Sequence, residues 1–132
     1  MKIIALIEKN KVENTFDIFT PEIESTIYGS GKSVAEAKMD FEAAAKDALP
    51  ILAENYQNSE YLTAEFIYKY DVASVFNYFD FLNVSKFAKW AGINAALMRQ
   101  YKTSDVYISE KQAKKIEDAL HKVAAELSAI SL

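Results

Sequence analysis

The hydrophobic pattern of the sequence changes its period near residue 70, and this change constrains the fold more than any other feature. Before it, short apolar or alternating segments are typical of β-strands. After it, apolar residues recur at helical spacing. We therefore predict an α+β protein with two domains, residues 1–70 and 71–132. The predicted strands are 2–8, 15–20, 25–31 and 64–70.

The first domain is predicted to have the order β-β-β-α-β. Short connections between the first three strands favour antiparallel hairpins, so we expect an antiparallel sheet with one main helix across a face. Ser33 and Glu36 form a capping box at the start of that helix. Pro50 lacks a backbone donor, which predicts a kink or a break near the end of the helix.

The second domain is predicted to be all-α. Its helices follow residues whose short polar side chains can accept a hydrogen bond from the first helical turn. Gly92 ends one helix, because glycine adopts the left-handed conformation common after a helix C-terminus. The predicted caps are Asp71, Asn83 or Ser85, Asn94, and Ser109, with Gln112 completing a second capping box.

Composition narrows the function classes. The absence of cysteine excludes disulfides and thiolate metal sites, and a single histidine, His121, argues against a histidine-based metal site or catalytic triad. No apolar run is long enough to span a bilayer. The opening segment MKIIALIEKNK predicts a strand and not a signal peptide. We expect a cytoplasmic protein with no membrane association, cofactor, metal or catalytic activity.

Charge is divided unevenly along the chain. Residues 1–70 hold seven lysines against twelve carboxylates, a balance of −5, whereas residues 71–132 carry +1. Within residues 85–115 the balance reaches +5. An acidic first half and a basic patch in the second half indicate two separate binding roles.

The segment SKFAKWAGINAALMRQY, residues 85–101, lies within the basic patch and fits a helix-turn-helix. Ala88 allows close helix crossing, Ile93 enters the core from the turn, and Leu97 and Met98 anchor the second helix. The alternative is an ordinary helical domain with a solvated basic face. Candidates for reading base edges are Asn94, Ala95, Ala96, Arg99 and Gln100, and candidates for holding phosphates are Lys86, Lys89, Lys102 and Lys111.

Residues 82–127 resemble the DNA-binding domain of Cro/CI-type helix-turn-helix proteins. SKFAKWAGIN matches the first part of that motif, ALMRQYKTSDVYIS the reading helix and its exit, and KQAKKIEDALHKV the closing helix. Ser104 stands where the family usually has glycine. The resemblance implies binding to duplex DNA as a dimer, and hence a palindromic operator.

The first domain contains the stretch TFDIFTPEIESTIYGSGKSVAEAKMDFEAAAKDAL, residues 15–49. With this stretch it resembles HicB antitoxins, whose front domain is a partial ribonuclease-H-like fold without catalytic residues. PEIEST replaces the second proline, the glycine and the cysteine of the family's usual turn. The resemblance implies a type II antitoxin that blocks a HicA-like mRNA-cleaving toxin and represses its own operon. The matching positions are Pro21, Gly29, Gly31, Ser33, Glu36 and Ala37.

Two other functions stay open. One is a transcription regulator whose first domain senses a small molecule or another protein. The other is a ribonuclease-H-type nuclease, for which Asp17, Glu22, Glu24 and Asp40 are the candidate metal-binding carboxylates, the alternative for these residues being a solvated acidic face. We expect a homodimer or larger assembly, with the apolar end of the last helix as a possible subunit contact. Candidate toxin-binding residues are Asp17, Glu22, Glu24, Tyr68 and Tyr70, the tyrosines being equally suited to the sheet.

Overall fold

The computed structural model describes residues 1–104 and 106–132, and the chain forms an α+β protein. It divides into two compact units, residues 1–69 and 70–132. Among the described helices, none combines the length and the apolar character needed to cross a bilayer.

The first unit is built on a four-stranded sheet and one long helix. The strands lie in the order β3-β2-β1-β4. In the hairpins, Ile7 pairs with Ile18 and Ile18 pairs with Gly29, so these three residues share one face of the sheet. The elements are β1 (Lys2–Lys9), β2 (Phe16–Phe19), β3 (Tyr28–Gly31), α1 (Val34–Asn55), a 3₁₀-helix (Ser59–Thr63) and β4 (Glu65–Asp71).

The sheet is mixed, so the prediction of an antiparallel sheet was wrong for one strand pair. The β1–β2 and β2–β3 pairs are antiparallel, which leaves the β1–β4 pair as the parallel one. The amide of Glu65 donates to the carbonyl of Met1 at 2.9 Å, where both strands begin. Helix α1 carries the chain back to that end, as a connection between parallel strands requires.

Helix α1 packs very close to β3. A Cβ atom on Gly29 would lie 2.3 Å from the backbone nitrogen of Phe41, so only glycine fits there. The Phe41 ring is fully buried and meets the rings of Phe66 and Tyr68 edge-on, with centroid distances of 4.8 and 6.2 Å. These contacts place Phe66 and Tyr68 on the same face of β4.

Helix α1 continues through Pro50, so the predicted break does not occur. The ring removes the amide that would bond the carbonyl of Lys46. Both residues are exposed, so water can satisfy that carbonyl.

The second unit contains four helices within the described residues. Gly92 ends α3 in the left-handed conformation, as predicted. Asp71, Asn83, Asn94 and Ser109 cap the four helices. The helices are α2 (Val72–Tyr78), α3 (Val84–Ala91), α4 (Ala95–Thr103) and α5 (Glu110–Ser128).

The core of the second unit is contributed by all four helices. Phe76 of α2 and Phe87 of α3 meet edge-on at 5.6 Å between ring centroids. Met98 of α4 is fully buried, and Ile116 of α5 is almost so. The core therefore fixes α4 against its neighbours and leaves the opposite side of α4 to solvent.

Candidate nucleic-acid interface on α4

The turn between α3 and α4 is fixed by its backbone conformation and by local hydrogen bonds. Gly92 has a φ of 64°, a conformation that costs other residues about 1–2 kcal/mol. The amide of Ile93 donates to the carbonyl of Ala88 at 3.1 Å, and the Ile93 side chain is buried. The Asn94 Oδ1 atom accepts from the amides of Ala96 at 2.8 Å and Leu97 at 3.3 Å. These contacts set the direction in which α4 leaves α3.

Helix α4 has a buried face and an exposed face. Met98 and Tyr101 are buried, and the Tyr101 hydroxyl accepts from Gln112 Nε2 at 3.1 Å. The spacing of the exposed residues is i, i+3, i+4 and i+7, which places them on one side of a helix. The exposed residues on that side are Ala96, Arg99, Gln100 and Thr103.

Arg99 is the cation among these four exposed residues. Its Nη1 atom donates to Ser85 Oγ at 3.0 Å, which holds the guanidinium toward the first turn of α3. A guanidinium has five N–H donors, so this bond leaves others for a ligand. Sequence reasoning did not find the role of Ser85, because the two residues are far apart in sequence and meet only through the helix crossing.

A groove of about 350 Å³ lies beside Arg99. Its lining contains two cations and no carboxylate, so the groove suits an anion such as a phosphate. The lining residues are Leu82, Asn83, Val84, Ser85, Arg99, Lys102 and Thr103.

The candidate base-reading residues are not equally accessible. Ala96, Arg99 and Gln100 are exposed on one side of α4. Asn94 is exposed, but its Oδ1 atom is occupied by the cap. Ala95 packs against the core, so it does not belong to the exposed face.

The candidate phosphate-binding lysines are spread over three helices. Lys102 is half-buried and lines the groove. Lys86 is exposed in the first turn of α3. Lys89 and Lys111 are exposed but are not part of the groove lining. Arg99 and Lys102 therefore form the compact cationic centre at the groove. Lys86 follows Ser85, one of the α3 residues that line the groove.

Asp17 was predicted to be available to a toxin or a metal ion, but the structure buries it. Its side chain is only 4% exposed, so its carboxylate does not lie on an open acidic face. Asp17 Oδ1 accepts from Ser30 Oγ at 2.7 Å and Thr15 Oγ1 at 2.9 Å, and Oδ2 accepts from Asn10 Nδ2 at 2.7 Å. Burial alone would raise the pKa of Asp17, but these hydrogen bonds outweigh it and hold the pKa below its ordinary value.

The other candidate toxin-binding residues are dispersed. Glu22 and Glu24 are exposed. Tyr68 is half-buried and donates its hydroxyl to Glu42 Oε1 at 2.9 Å, with Lys38 Nζ 4.4 Å from its ring centroid. Tyr70 packs against the helical core of the second unit. Of the five candidates, only the two glutamates offer an open acidic surface.

Asp17 and Asp40 both contact Ser30. Asp40 Oδ2 accepts from the Ser30 amide at 2.9 Å, whereas Asp17 accepts from the Ser30 hydroxyl. Among the described residues, no group of three histidine, cysteine or acidic side chains is arranged to hold a metal ion.

No protein-family model matches the sequence, and neither a curated protein nor a solved structure matches the chain.

Proposed function

We propose that this chain is a DNA-binding antitoxin. Residues 70–132 bind duplex DNA through α4 and repress the chain's own operon, and residues 1–69 bind and block a HicA-like mRNA-cleaving toxin. The observation that carries the DNA-binding part is the exposed face of α4. There Ala96, Arg99 and Gln100 lie side by side, next to a groove with two cations and no carboxylate.

The chemistry of that face suits the major groove of DNA. The major groove admits an α-helix, and the small side chain of Ala96 allows close approach. Arg99 can donate two hydrogen bonds to guanine, and Gln100 can pair with adenine. Lys102 and Lys86 would then hold phosphates and fix the helix in register. The local charge of +5 over residues 85–115 favours the encounter, although the whole chain carries −4.

A dimer extends this contact to a palindromic operator. Two copies related by a two-fold axis present two α4 helices to successive major grooves, about 34 Å apart. Each subunit then reads one half of the operator.

The toxin-binding part of the proposal rests on the resemblance to HicB antitoxins and on charge. Residues 1–69 carry −5, and the exposed Glu22 and Glu24 belong to this acidic surface. A small basic RNA-cleaving toxin would be steered toward such a domain, and its RNA-binding surface could be covered by it.

Gel shifts with DNA from upstream of the chain's own gene test the DNA-binding part. We expect Arg99→Ala to weaken specific binding by about 1–3 kcal/mol. Lys46→Ala is the matched control, because it removes one exposed positive charge from the first unit. Equal losses for the two variants would contradict a contact specific to α4, and no binding by the unchanged protein would refute the proposal.

A pull-down from the native host, followed by mass spectrometry, tests the toxin-binding part. We expect a small basic partner encoded in the neighbouring reading frame, and we expect Arg99→Ala to leave its binding unchanged. DNA binding without such a partner would favour the regulator that senses a small molecule or another protein. Metal-dependent RNA cleavage that is lost in Asp17→Ala would instead favour a nuclease.

A further inference from the structure

Helix α1 has a broad face that points away from the sheet. The opposite side of the helix holds the buried side chains of Ala37, Phe41, Ala45 and Leu52. At about 3.6 residues per turn, a set of exposed residues falls within about one third of the helix circumference. This set is the outer face of α1, and its members are Glu36, Met39, Asp40, Ala43, Asp47, Pro50, Ile51 and Glu54.

Two large apolar side chains on the outer face are open to solvent. Met39 is 74% exposed and Ile51 is 58% exposed. Methionine is flexible and polarizable, so it adapts to the shape of a partner and is common at binding surfaces. Ala43 and Pro50 add apolar surface between them. A convex helix surface of this kind suits another helix, whose ridges of side chains fit into its grooves.

The outer face also carries four carboxylates and no basic side chain. Glu36 Oε2 and Asp40 Oδ2 each accept from a backbone amide at the end of β3, at 2.9 Å, and a carboxylate can accept further hydrogen bonds. Asp47 and Glu54 form no ion pair with other described residues. A partner that covers this face must therefore bring lysine or arginine, because burying unpaired carboxylates is costly.

The two properties together define the occupant. The phosphates of a nucleic acid or of an anionic lipid would be repelled by the four carboxylates. A helix with a row of lysine or arginine beside a row of apolar residues complements both the charge and the apolar surface.

We propose that the outer face of α1 binds a basic amphipathic helix of a partner protein. The apolar row of that helix packs on Met39, Pro50 and Ile51, and its cations pair with Asp47 and Glu54. In the proposed function this partner is the toxin, so the identity of the partner rests on that function, whereas the surface can be tested without it. The five toxin-binding candidates from the sequence all lie outside α1.

Fluorescence anisotropy with a labelled synthetic peptide tests the surface. The probe is a helical peptide of about 18 residues, with leucines along one side and lysines on both flanks, which matches the length of the outer face. We expect binding to the full chain that weakens as salt is added. Asp47→Asn with Glu54→Gln should raise the dissociation constant about three- to tenfold, through the loss of two ion pairs. Glu22→Gln with Glu24→Gln is the matched control, because it removes the same charge from exposed residues outside α1.

A second pair of variants tests the apolar part of the surface. Met39→Ser should raise the dissociation constant about tenfold, because the methionine side chain is buried only in the complex. Val12→Ser is the control, since Val12 is an exposed apolar residue in the turn between β1 and β2. Circular dichroism confirms that each variant stays folded.

Three results would overturn the inference. The first is no binding of the peptide by the unchanged protein, and the second is equal weakening by the α1 variants and their controls. The third is self-association of the full chain that Asp47→Asn with Glu54→Gln removes, because a second copy would then occupy the face.

The neighbouring-frame partner separates this inference from the proposed function. Peptide binding on α1 without such a partner in the native host would refute the toxin-binding part of the proposed function and leave the surface standing. A partner that binds equally well to Asp47→Asn with Glu54→Gln would support the proposed function and overturn the inference.

Discussion

Replacing Asp17 with asparagine tests how the first unit is held together. Asparagine keeps the size of the side chain and one acceptor oxygen, which can still accept from Thr15 and Ser30. The other oxygen becomes an NH₂ group that faces the Asn10 Nδ2 donor, now 2.7 Å from Asp17 Oδ2. The Asn10 amide has no simple way to turn over, because its Oδ1 atom accepts from the amides of Val12 at 2.9 Å and Glu13 at 3.0 Å.

The expected cost follows from these contacts. Loss of a hydrogen bond to a charged group costs about 1.5–3 kcal/mol. One term acts in the opposite direction, because Asp17 lies directly across from Glu8 on β1 and the substitution removes this like-charge pair. Relief of such a pair returns about 0.2–1 kcal/mol. We expect Asp17→Asn to lower the free energy of unfolding of residues 1–69 by about 1–2 kcal/mol.

Urea unfolding followed by far-UV circular dichroism measures this loss. Trp90 fluorescence reports the second unit in the same titration and is expected to change little. The exchanged pair, Asn10→Asp with Asp17→Asn, puts an acceptor opposite the new donor. It should recover about 1 kcal/mol relative to the sum of the single changes. A loss below about 0.5 kcal/mol for Asp17→Asn, or no recovery in the pair, would refute the hydrogen-bond argument.

The pH dependence gives an independent check of the same carboxylate. The pKa of Asp17 is lowered in the folded protein, because the hydrogen bonds from Asn10, Ser30 and Thr15 outweigh the opposing effect of burial. Its contribution is therefore fully present above the unfolded pKa of about 4 and is lost as the pH falls through the folded value. The stability gap between the unchanged protein and Asp17→Asn should hold from neutral pH to about pH 5 and narrow below about pH 4.

Two further predictions concern the backbone and are checked by the same urea titrations. Gly29→Ala should destabilise more than Gly92→Ala. An added Cβ at Gly29 forces a shift in α1 and costs about 2–3 kcal/mol or more, whereas one at Gly92 meets nothing within 4 Å and costs only the strain of its φ, about 1–2 kcal/mol. The reverse order would contradict the packing of α1 on β3. Pro50→Ala should stabilise by about 1–3 kcal/mol, because it restores an amide donor within α1 at an exposed position; an unchanged or lower stability would show that the helix depends on its proline.

Local features of the fold could be predicted from the sequence. The caps at Ser33, Asp71, Asn94 and Ser109 were found because each bond joins a side chain to an amide two or three residues away. Gly92 was found for the same reason, since its conformation depends on the residue itself.

Features that depend on distant partners could not be predicted. The direction of β4 is set by the path of α1, and the hydrophobic period of the sequence carries no information about that path.

The two capping boxes form only in part. Glu36 accepts from the amide of Lys32 at 2.9 Å, and the Gln112 side chain bonds Tyr101, so neither reaches back to its cap residue.

The same division applies to the candidate site. Helical spacing placed Arg99 and Gln100 on the solvent side of α4, where the structure has them. Helical spacing also placed Ala95 on that side, but Ala95 packs against the core. Spacing alone does not show how a helix is rotated against its neighbours. Alternation along β2 puts Asp17 on the face opposite Ile18, but alternation could not show that polar neighbours enclose that carboxylate.

The bond between Arg99 and Ser85 decides how Arg99 would meet DNA. It restrains the guanidinium before binding, which lowers the cost of ordering a long side chain, about 0.5–1.5 kcal/mol. It also draws the group toward the first turn of α3 and the cationic groove, where a phosphate would lie. If Arg99 holds a phosphate, Arg99→Ala should weaken binding to all sequences and lower the salt dependence by about one ion. If Arg99 leaves Ser85 to read guanine, the salt dependence should stay the same and discrimination should fall at one base pair. The gel shifts repeated at several salt concentrations distinguish these two contacts.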